Sequence, residues 1–249
     1  MRLIVLFSVL SVKGGLVNRK GACVAPWKAM RRAFLLLLWL SGAVNAQQVH
    51  PVTGRHIAPV MGIGGADWLV RPEREAEEAP DAALDAIGIA RGAVVADIGA
   101  GAGYFTWRLA ERVGPTGKVY ANDIQPAMLE LLRKNIDARH LSNVETVAGA
   151  EDDPKLPVGR VDLVLLVDVY HEFSQPQKML RKIRESLKPD GRMVLLEYRK
   201  EDPNVPIRPE HKMSVDEVRA EVHPEGFRFE KNLGTLPRQH ILIFRKSAP

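Results

Sequence analysis

Two rhythms of apolar residues alternate along this chain. From residue 94 onward, apolar runs of strand length at 94–97, 118–121, 144–147, 161–167 and 191–197 take turns with stretches whose apolar positions recur every three or four residues. In residues 126–139 these positions are Met128, Leu129, Leu132 and Ile136, one face of a helix that Pro126 opens. Residues 175–187 form a second such helix. The run VDLVLLV at 161–167 is almost continuously apolar, which predicts a strand buried on both faces at the centre of a parallel sheet. Strand and helix in alternation predict an α/β, Rossmann-like fold. The rhythm changes near the C-terminus. Ser214 caps a helix over 214–222, with Glu217 at the capping-box position. Two strands follow at 227–233 and 240–245, and the connection containing Gly234 and Pro237 is too short for a crossover, so they pair antiparallel. The expected sheet has seven strands, five parallel plus a C-terminal antiparallel hairpin.

Upstream the pattern weakens. Residues 47–71 are rich in Gly, Pro and His, a composition that suits an ordered arm or a lid. Its Met61 and Trp68 either cover a ligand pocket or pack on the domain surface. Arg71 to Glu75 open a charged helix, and Pro80-Asp81 start another whose Ala83, Leu84 and Ile87 face the domain. The chain therefore divides into a leader at 1–46, an arm with a helix at 47–80 and a domain at 81–249.

Charge separates the leader from the rest. Arg2, Lys13, Arg19, Lys20, Lys28, Arg31 and Arg32 stand there without any Asp or Glu, which leaves 28 basic against 30 acidic residues in the remainder. The pI of about 9.4 thus belongs to the leader, and the body has no general attraction for nucleic acid. Met30-Arg31-Arg32, an apolar run from Ala33 to Leu40, and small residues up to Ala46 read as a secretory signal peptide cleaved after Ala46. The expectation is an exported, periplasmic domain; the run is short for a bilayer span, and an uncleaved leader would instead be a membrane anchor. Met30 suits this signal better as a start than Met1. The arginine pair fits an ordinary signal or the twin-arginine route, which carries folded proteins. Cys23, the one cysteine, lies in the leader, so the mature chain has no disulfide or thiol chemistry.

Candidate chemistry centres on VVADIGAGAGYFTWRLA at 94–110. A strand ends in Asp97, Gly99, Gly101 and Gly103 make a turn, and a helix starts near Tyr104. Glycines let the backbone take positive φ and approach a ligand closely, and the helix N-terminus offers free N–H groups. The spacing G-x-G-x-G differs from the dinucleotide fingerprint G-x-G-x-x-G, and Asp97 would repel a pyrophosphate while accepting a hydrogen bond from an α-amino group. This stretch resembles the first motif of class I S-adenosylmethionine (SAM)-dependent methyltransferases. Leu187-Lys188-Pro189-Asp190-Gly191 resembles the LKPGG-like turn before the fifth strand of many small-molecule members, with Asp190 in place of the first glycine. The terminal hairpin is a methyltransferase feature that a dinucleotide domain lacks.

The resemblance, which spans residues 94–244, implies SAM as cofactor and a small-molecule methyl acceptor. It implies cofactor contacts from Asp97, Gly99, Ala100, Gly101 and Gly103, then from Asp123 and Ile124 after the second strand. Asp123, 20 residues beyond Gly103, has the spacing of a ribose-binding acid. After the third strand come Ala150, Glu151 and Asp152, with Asp152 meeting the adenine amino group and the Ala150 N–H a ring nitrogen. Asp168, Tyr170 and His171 follow the fourth strand, at the carboxyl edge where open α/β sheets bind ligands. His171 is the candidate general base, because imidazole titrates near neutrality, or else it orients the substrate or bonds the adjacent helix. Glu172 would orient His171. Tyr170 would wall the methionine or bond the acceptor.

Other features narrow the acceptor. Neither Asn-Pro-Pro-Tyr nor Asp-Pro-Pro-Tyr follows the fourth strand, which argues against DNA bases, and the cysteines of arsenic-methylating relatives are missing. His50, His56, His211, His223 and His240 are scattered, so no metal site is expected. Export raises a second possibility, because SAM is made in the cytoplasm: a nucleoside-binding protein that keeps the fold without catalysis. Oligomeric state is left open.

Overall fold

The computed structural model describes residues 48–247. The signal peptide, Cys23 and the start at Met30 lie outside the described residues. Among the described residues, no helix is long and apolar enough to cross a membrane.

One eight-stranded sheet organises the chain. Its strands are β1 (Val94–Ile98), β2 (Lys118–Asp123), β3 (Val144–Ala148), β4 (Val161–Val167), β5 (Leu187–Arg199), β6 (Lys212–Met213), β7 (Phe227–Leu233) and β8 (Gln239–Lys246), in the order β3-β2-β1-β4-β5-β8-β7. The first five run parallel, β8 lies antiparallel to β5, and β7 is antiparallel to β8. β6 pairs only with the end of β5. The α/β class and the C-terminal hairpin are as expected.

Helices cover both faces because the strands alternate with a period of two. Val95, Leu163, Leu165, Val194 and Ile243 pack with helices α3 (Pro80–Ile87) and α4 (Thr106–Val113), introduced after two short helices, α1 (Ala66–Leu69) and α2 (Arg74–Glu78). Ala96, Val164, Leu166, Leu195 and Phe244 point the other way, toward α6 (Pro176–Ser186) and α7 (Val215–Val222). Between them in sequence, α5 (Pro126–Ala138) lays Leu129, Leu132 and Ile136 against Ala121. Leu165 and Leu166 are both fully buried, as a two-sided central strand requires. Ser214 and Glu217 form the expected capping box on α7.

Three details differ from expectation. β5 starts at Leu187, so Leu187-Lys188-Pro189-Asp190-Gly191 is the bulged beginning of a strand: Val161 pairs with Leu187 and then Leu163 with Arg192. Gly191 makes this possible, since a Cβ there would lie 2.9 Å from the Val161 carbonyl oxygen. β6 was not foreseen. Finally, α4 begins at Thr106, after a loop in which Gly99, Gly101 and Gly103 take φ of 69°, 54° and 89°.

The chain runs from β1 outward to β2 and β3, then returns to place β4 on the other side of β1. At this reversal the loops leaving the two central strands part, and a crevice opens at their carboxyl ends.

Candidate active site

A cavity of about 700 Å³ occupies that crevice. Gly99 and Gly101 from the β1 loop, Asp123 and Ile124 from the end of β2, Glu151 beyond β3, and Asp168 and His171 beyond β4 all line it. The arm closes it with Met61 and Trp68, which resolves their two readings in favour of the pocket.

Each strand end hands over its residues by local geometry. The Ala100 N–H bonds the Asn122 carbonyl at 2.8 Å, tying the glycine loop to β2. A Cβ on Gly99 would lie 2.4 Å from Val169 Cγ2, so only glycine lets the loop pass the chain after β4. Asp123 accepts from the Gly101 N–H at 3.0 Å and from the Gln125 N–H at 2.8 Å. A carboxylate has lone pairs to spare beyond these two, enough for further hydroxyl donors. Asp168 takes a left-handed φ of 49°, unusual for a side chain with a Cβ. Its Oδ2 accepts from Gln239 Nε2 at 2.7 Å, while Oδ1 is buried without a partner among the described residues. Burial first, then the Glu78 and Glu197 carboxylates, push its pKa well up. A cationic group beside it would relieve that cost.

The catalytic candidate is fixed from inside the fold. His171 Nδ1 lies 2.6 Å from Glu197 Oε2, and Glu197 is fully buried in β5. Burial alone would lower the imidazole pKa, but the Glu197 carboxylate overrides it and the net shift is upward. His171 Nε2 stands 3.1 Å from Nδ1 of His211, whose pKa is lowered by burial and by His171. Glu197, not Glu172, therefore orients the ring. Glu172 lines the cavity on its own account, and burial lifts its pKa to about 7 against the counteracting charge of His171 and a hydrogen bond from the Met61 N–H.

Six expected site residues do not line the cavity among the described residues. Asp97 lies behind the glycine loop, buried, where the Thr106 hydroxyl donates to it at 2.6 Å; burial raises its pKa to about 7. Ala100 is occupied in tying the loop to β2. Gly103 faces a separate cavity of about 510 Å³ beside Leu132 and Trp107. The Ala150 N–H is already taken by the Asp153 carbonyl at 2.8 Å, so it is not free for an adenine nitrogen. The resulting turn sends Asp152 toward Lys178, 3.8 Å away, and leaves Glu151 on the cavity, held by the Ser174 hydroxyl at 2.9 Å. Tyr170 is fully buried in the core, its ring 5.6 Å from that of Phe173 and 5.5 Å from the Arg55 guanidinium.

Sequence reasoning missed Glu197, His211 and Arg74. A carboxylate inside the buried run 193–198 was a readable signal for the first. Arg74 sits on the cavity wall, bonded to Glu78 at 2.7 Å, and only the packing of α2 puts it there.

Comparison with known proteins bears on this geometry. A family model described as a methyltransferase domain matches residues 89–228. The chain belongs to that methyltransferase family. It is 31% identical over 118 residues to the ubiquinone/menaquinone biosynthesis C-methyltransferase UbiE of Escherichia fergusonii, and the match covers 47% of each chain. The chain thus spans about half the length of the curated relatives it matches. In structure it is similar to a SAM-dependent methyltransferase from Aquifex aeolicus, with a TM-score of 0.71 and 27% identity, over 74% of this chain and 98% of that one. The YcgJ protein of Bacillus subtilis shares the fold at a TM-score of 0.54 and 20% identity, over 68% of this chain and 100% of the other. Family and structural relatives imply SAM as the cofactor, and the site fits it: a glycine cradle that a Cβ would fill, an acid on the cavity at the end of β2 with lone pairs to spare, and a buried carboxylate that lacks a cationic partner for one oxygen.

Proposed function

We propose that this methyltransferase transfers the methyl group of SAM to a small-molecule acceptor bound in the 700 Å³ cavity, with His171 as the general base. The observation that carries this reading is His171 on the cavity wall, its ring held from behind by the buried Glu197 carboxylate. Gly99 and Gly101 would hold the cofactor's methionine end with Asp168, Asp123 its ribose, and Ile124 and Glu151 its base. When bound, SAM supplies a sulfonium methyl that is already electrophilic. The chain's task is then to align the acceptor, exclude water and remove a proton.

Donation from Nδ1–H to Glu197 fixes the imidazole tautomer, which leaves Nε2 as the proton acceptor. At rest Nε2 faces His211, and an acceptor hydroxyl that displaces His211 would hand its proton there. Val60, Met61, Phe173 and Ile207 make the surroundings apolar, which suits a flat aromatic acceptor. The ubiquinone/menaquinone biosynthesis C-methyltransferase activity in the name of the UbiE relatives supports quinone precursors as the first acceptors to screen.

Export through the leader read at 1–46 belongs to the same proposal. N-terminal sequencing of periplasmic protein tests it, and a mature chain beginning at Gln47 is expected.

The chemical test uses calorimetry and turnover together. Wild-type chain, His171→Ala and Glu197→Gln are expected to bind SAM alike, while the two variants lose on the order of 10²–10⁴ in turnover. Unchanged turnover in His171→Ala would remove it from the mechanism. SAM binding without turnover of any acceptor by the wild type would favour a binding protein.

A further inference from the structure

One of the histidines scattered along the sequence, His211, meets His171 in space. His171 lies in the loop after β4 and His211 at the end of the short turn Pro209–His211, just before β6. Pairing of β6 with the end of β5 carries that turn across to the β4 loop. We propose that His171, Glu172 and His211 form a binding site for a divalent transition-metal ion.

One ligand atom from each residue lies within 4.8 Å of the other two, and the two imidazole nitrogens are 3.1 Å apart. Nitrogens bound at roughly 2.0–2.1 Å to one ion stand roughly 2.9–3.4 Å apart for angles between octahedral and tetrahedral. The pair already has this separation, so an ion in place of the shared proton needs the two rings to turn their lone pairs toward it but not the residues to be brought together. Glu197 completes the arrangement by holding His171 Nδ1, because a metal-bound imidazole commonly gives its other N–H to a carboxylate. The surroundings favour a dication: Asp123, Glu151, Asp168 and Glu172 line the cavity against Arg74 and Arg208. Two imidazoles and a carboxylate suit zinc, cobalt, nickel or ferrous ions rather than calcium or magnesium, which prefer all-oxygen shells. The cavity side stays open for water or an acceptor oxygen.

The site stands on this cluster alone, but its consequence rests on the proposed function. A metal ion and a proton compete for the same lone pair of His171 Nε2. The metal-loaded chain therefore cannot use His171 as its base, and the ion inhibits methyl transfer to acceptors that must lose a proton.

The experiment titrates Zn²⁺ by calorimetry and Co²⁺ by visible absorption into the tag-free full-length chain, without SAM. One equivalent is expected to bind, with cobalt bands typical of nitrogen and oxygen ligands. His211→Ala and Glu172→Gln, checked for folding by circular dichroism, are each expected to abolish that saturable binding. Cys23→Ser and His223→Ala are expected to keep it. No binding to the wild type, or undiminished binding to both site variants, would overturn the proposal. In a separate turnover assay Zn²⁺ is expected to inhibit and a chelator to restore activity. Activation that the site variants lose would uphold the metal site and overturn the base role of His171.

Discussion

Gly99 offers the sharpest test of how the site is built. Its φ is 69°, and a Cβ there would lie 2.4, 3.0 and 3.4 Å from Val169 Cγ2, Cβ and Cγ1. Two separable costs follow for Gly99→Ala. A left-handed conformation costs a residue with a Cβ roughly 1–2 kcal/mol, and overpacking a well-filled contact typically costs about 1–3 kcal/mol. The single variant should therefore lose about 2–5 kcal/mol of stability. Val169→Ala removes both Cγ atoms and leaves its Cβ at 3.0 Å, a distance that a shift of a few tenths of an ångström relieves. In the double variant the packing cost should vanish while the backbone cost stays, a coupling of about 1–3 kcal/mol. Urea unfolding of the four proteins at constant m gives the cycle directly. SAM affinity by calorimetry should fall in Gly99→Ala and recover in part in the double variant. A Gly99→Ala cost below about 0.5 kcal/mol, or strict additivity with Val169→Ala, would refute the close-approach argument.

Other expectations are independent of the acceptor. Asp97 is buried with its pKa raised to about 7 from the ordinary 3.8, so the folded state holds the proton more tightly than the unfolded one. Its contribution is full below about pH 4 and is lost as pH rises through 7; thermal melts without SAM should show Asp97→Asn losing less stability than wild type between pH 5 and 8, by an amount on the order of 2–3 kcal/mol. Ser214→Ala breaks the capping box on α7 and should cost about 1 kcal/mol in urea unfolding while leaving SAM affinity unchanged. Glu221, fully buried, holds Arg55 through Nε at 2.8 Å and Nη2 at 3.0 Å. Arg55→Ala leaves that carboxylate without its guanidinium and should cost about 3–5 kcal/mol, with faster limited proteolysis between residues 48 and 62 as the specific sign that the arm has come loose.

Much of this fold was readable because its signals are local. The short apolar runs of β1 and β4 and a period near 3.6 in α5 and α6 each need only a few residues to register. β6 could not register, since two paired residues contain no period, and the LKPDG segment read as a turn because Pro and Gly punctuate it, whereas pairing with Val161 draws it into β5. The same limit governs the site. Gly99, Asp123 and Asp168 were legible because a strand end fixes where the next residue or two must go. One residue further out, direction depends on contacts elsewhere: the bridge between Ala150 and Asp153 turns Glu151 inward and Asp152 outward. In the short turn Tyr170–Glu172, His171 reaches the cavity while its neighbour Tyr170 goes into the core.

What fixes His171 comes from three distant stretches of chain, and its position makes sense only when they are taken together. Its ring is held by Glu197 from β5, and the same carboxylate accepts the Tyr170 N–H at 3.1 Å, so a single buried charge sets both the ring and the backbone beside it. Its carbonyl accepts from the Ala58 N–H at 3.0 Å and from Arg55 Nη1 at 3.0 Å, both in the arm. Arg55 in turn is locked by Glu221 from α7. Two buried carboxylates on opposite sides thus immobilise one residue, Glu197 directly and Glu221 through Arg55. Removing either partner leaves an unpaired charge in the interior, which is expensive enough to make alternative positions of the loop rare. The arm is therefore more than a cover: the residues that bring Met61 to the cavity also pin the backbone of the catalytic candidate, so loosening the arm should raise the KM for the acceptor and lower kcat together.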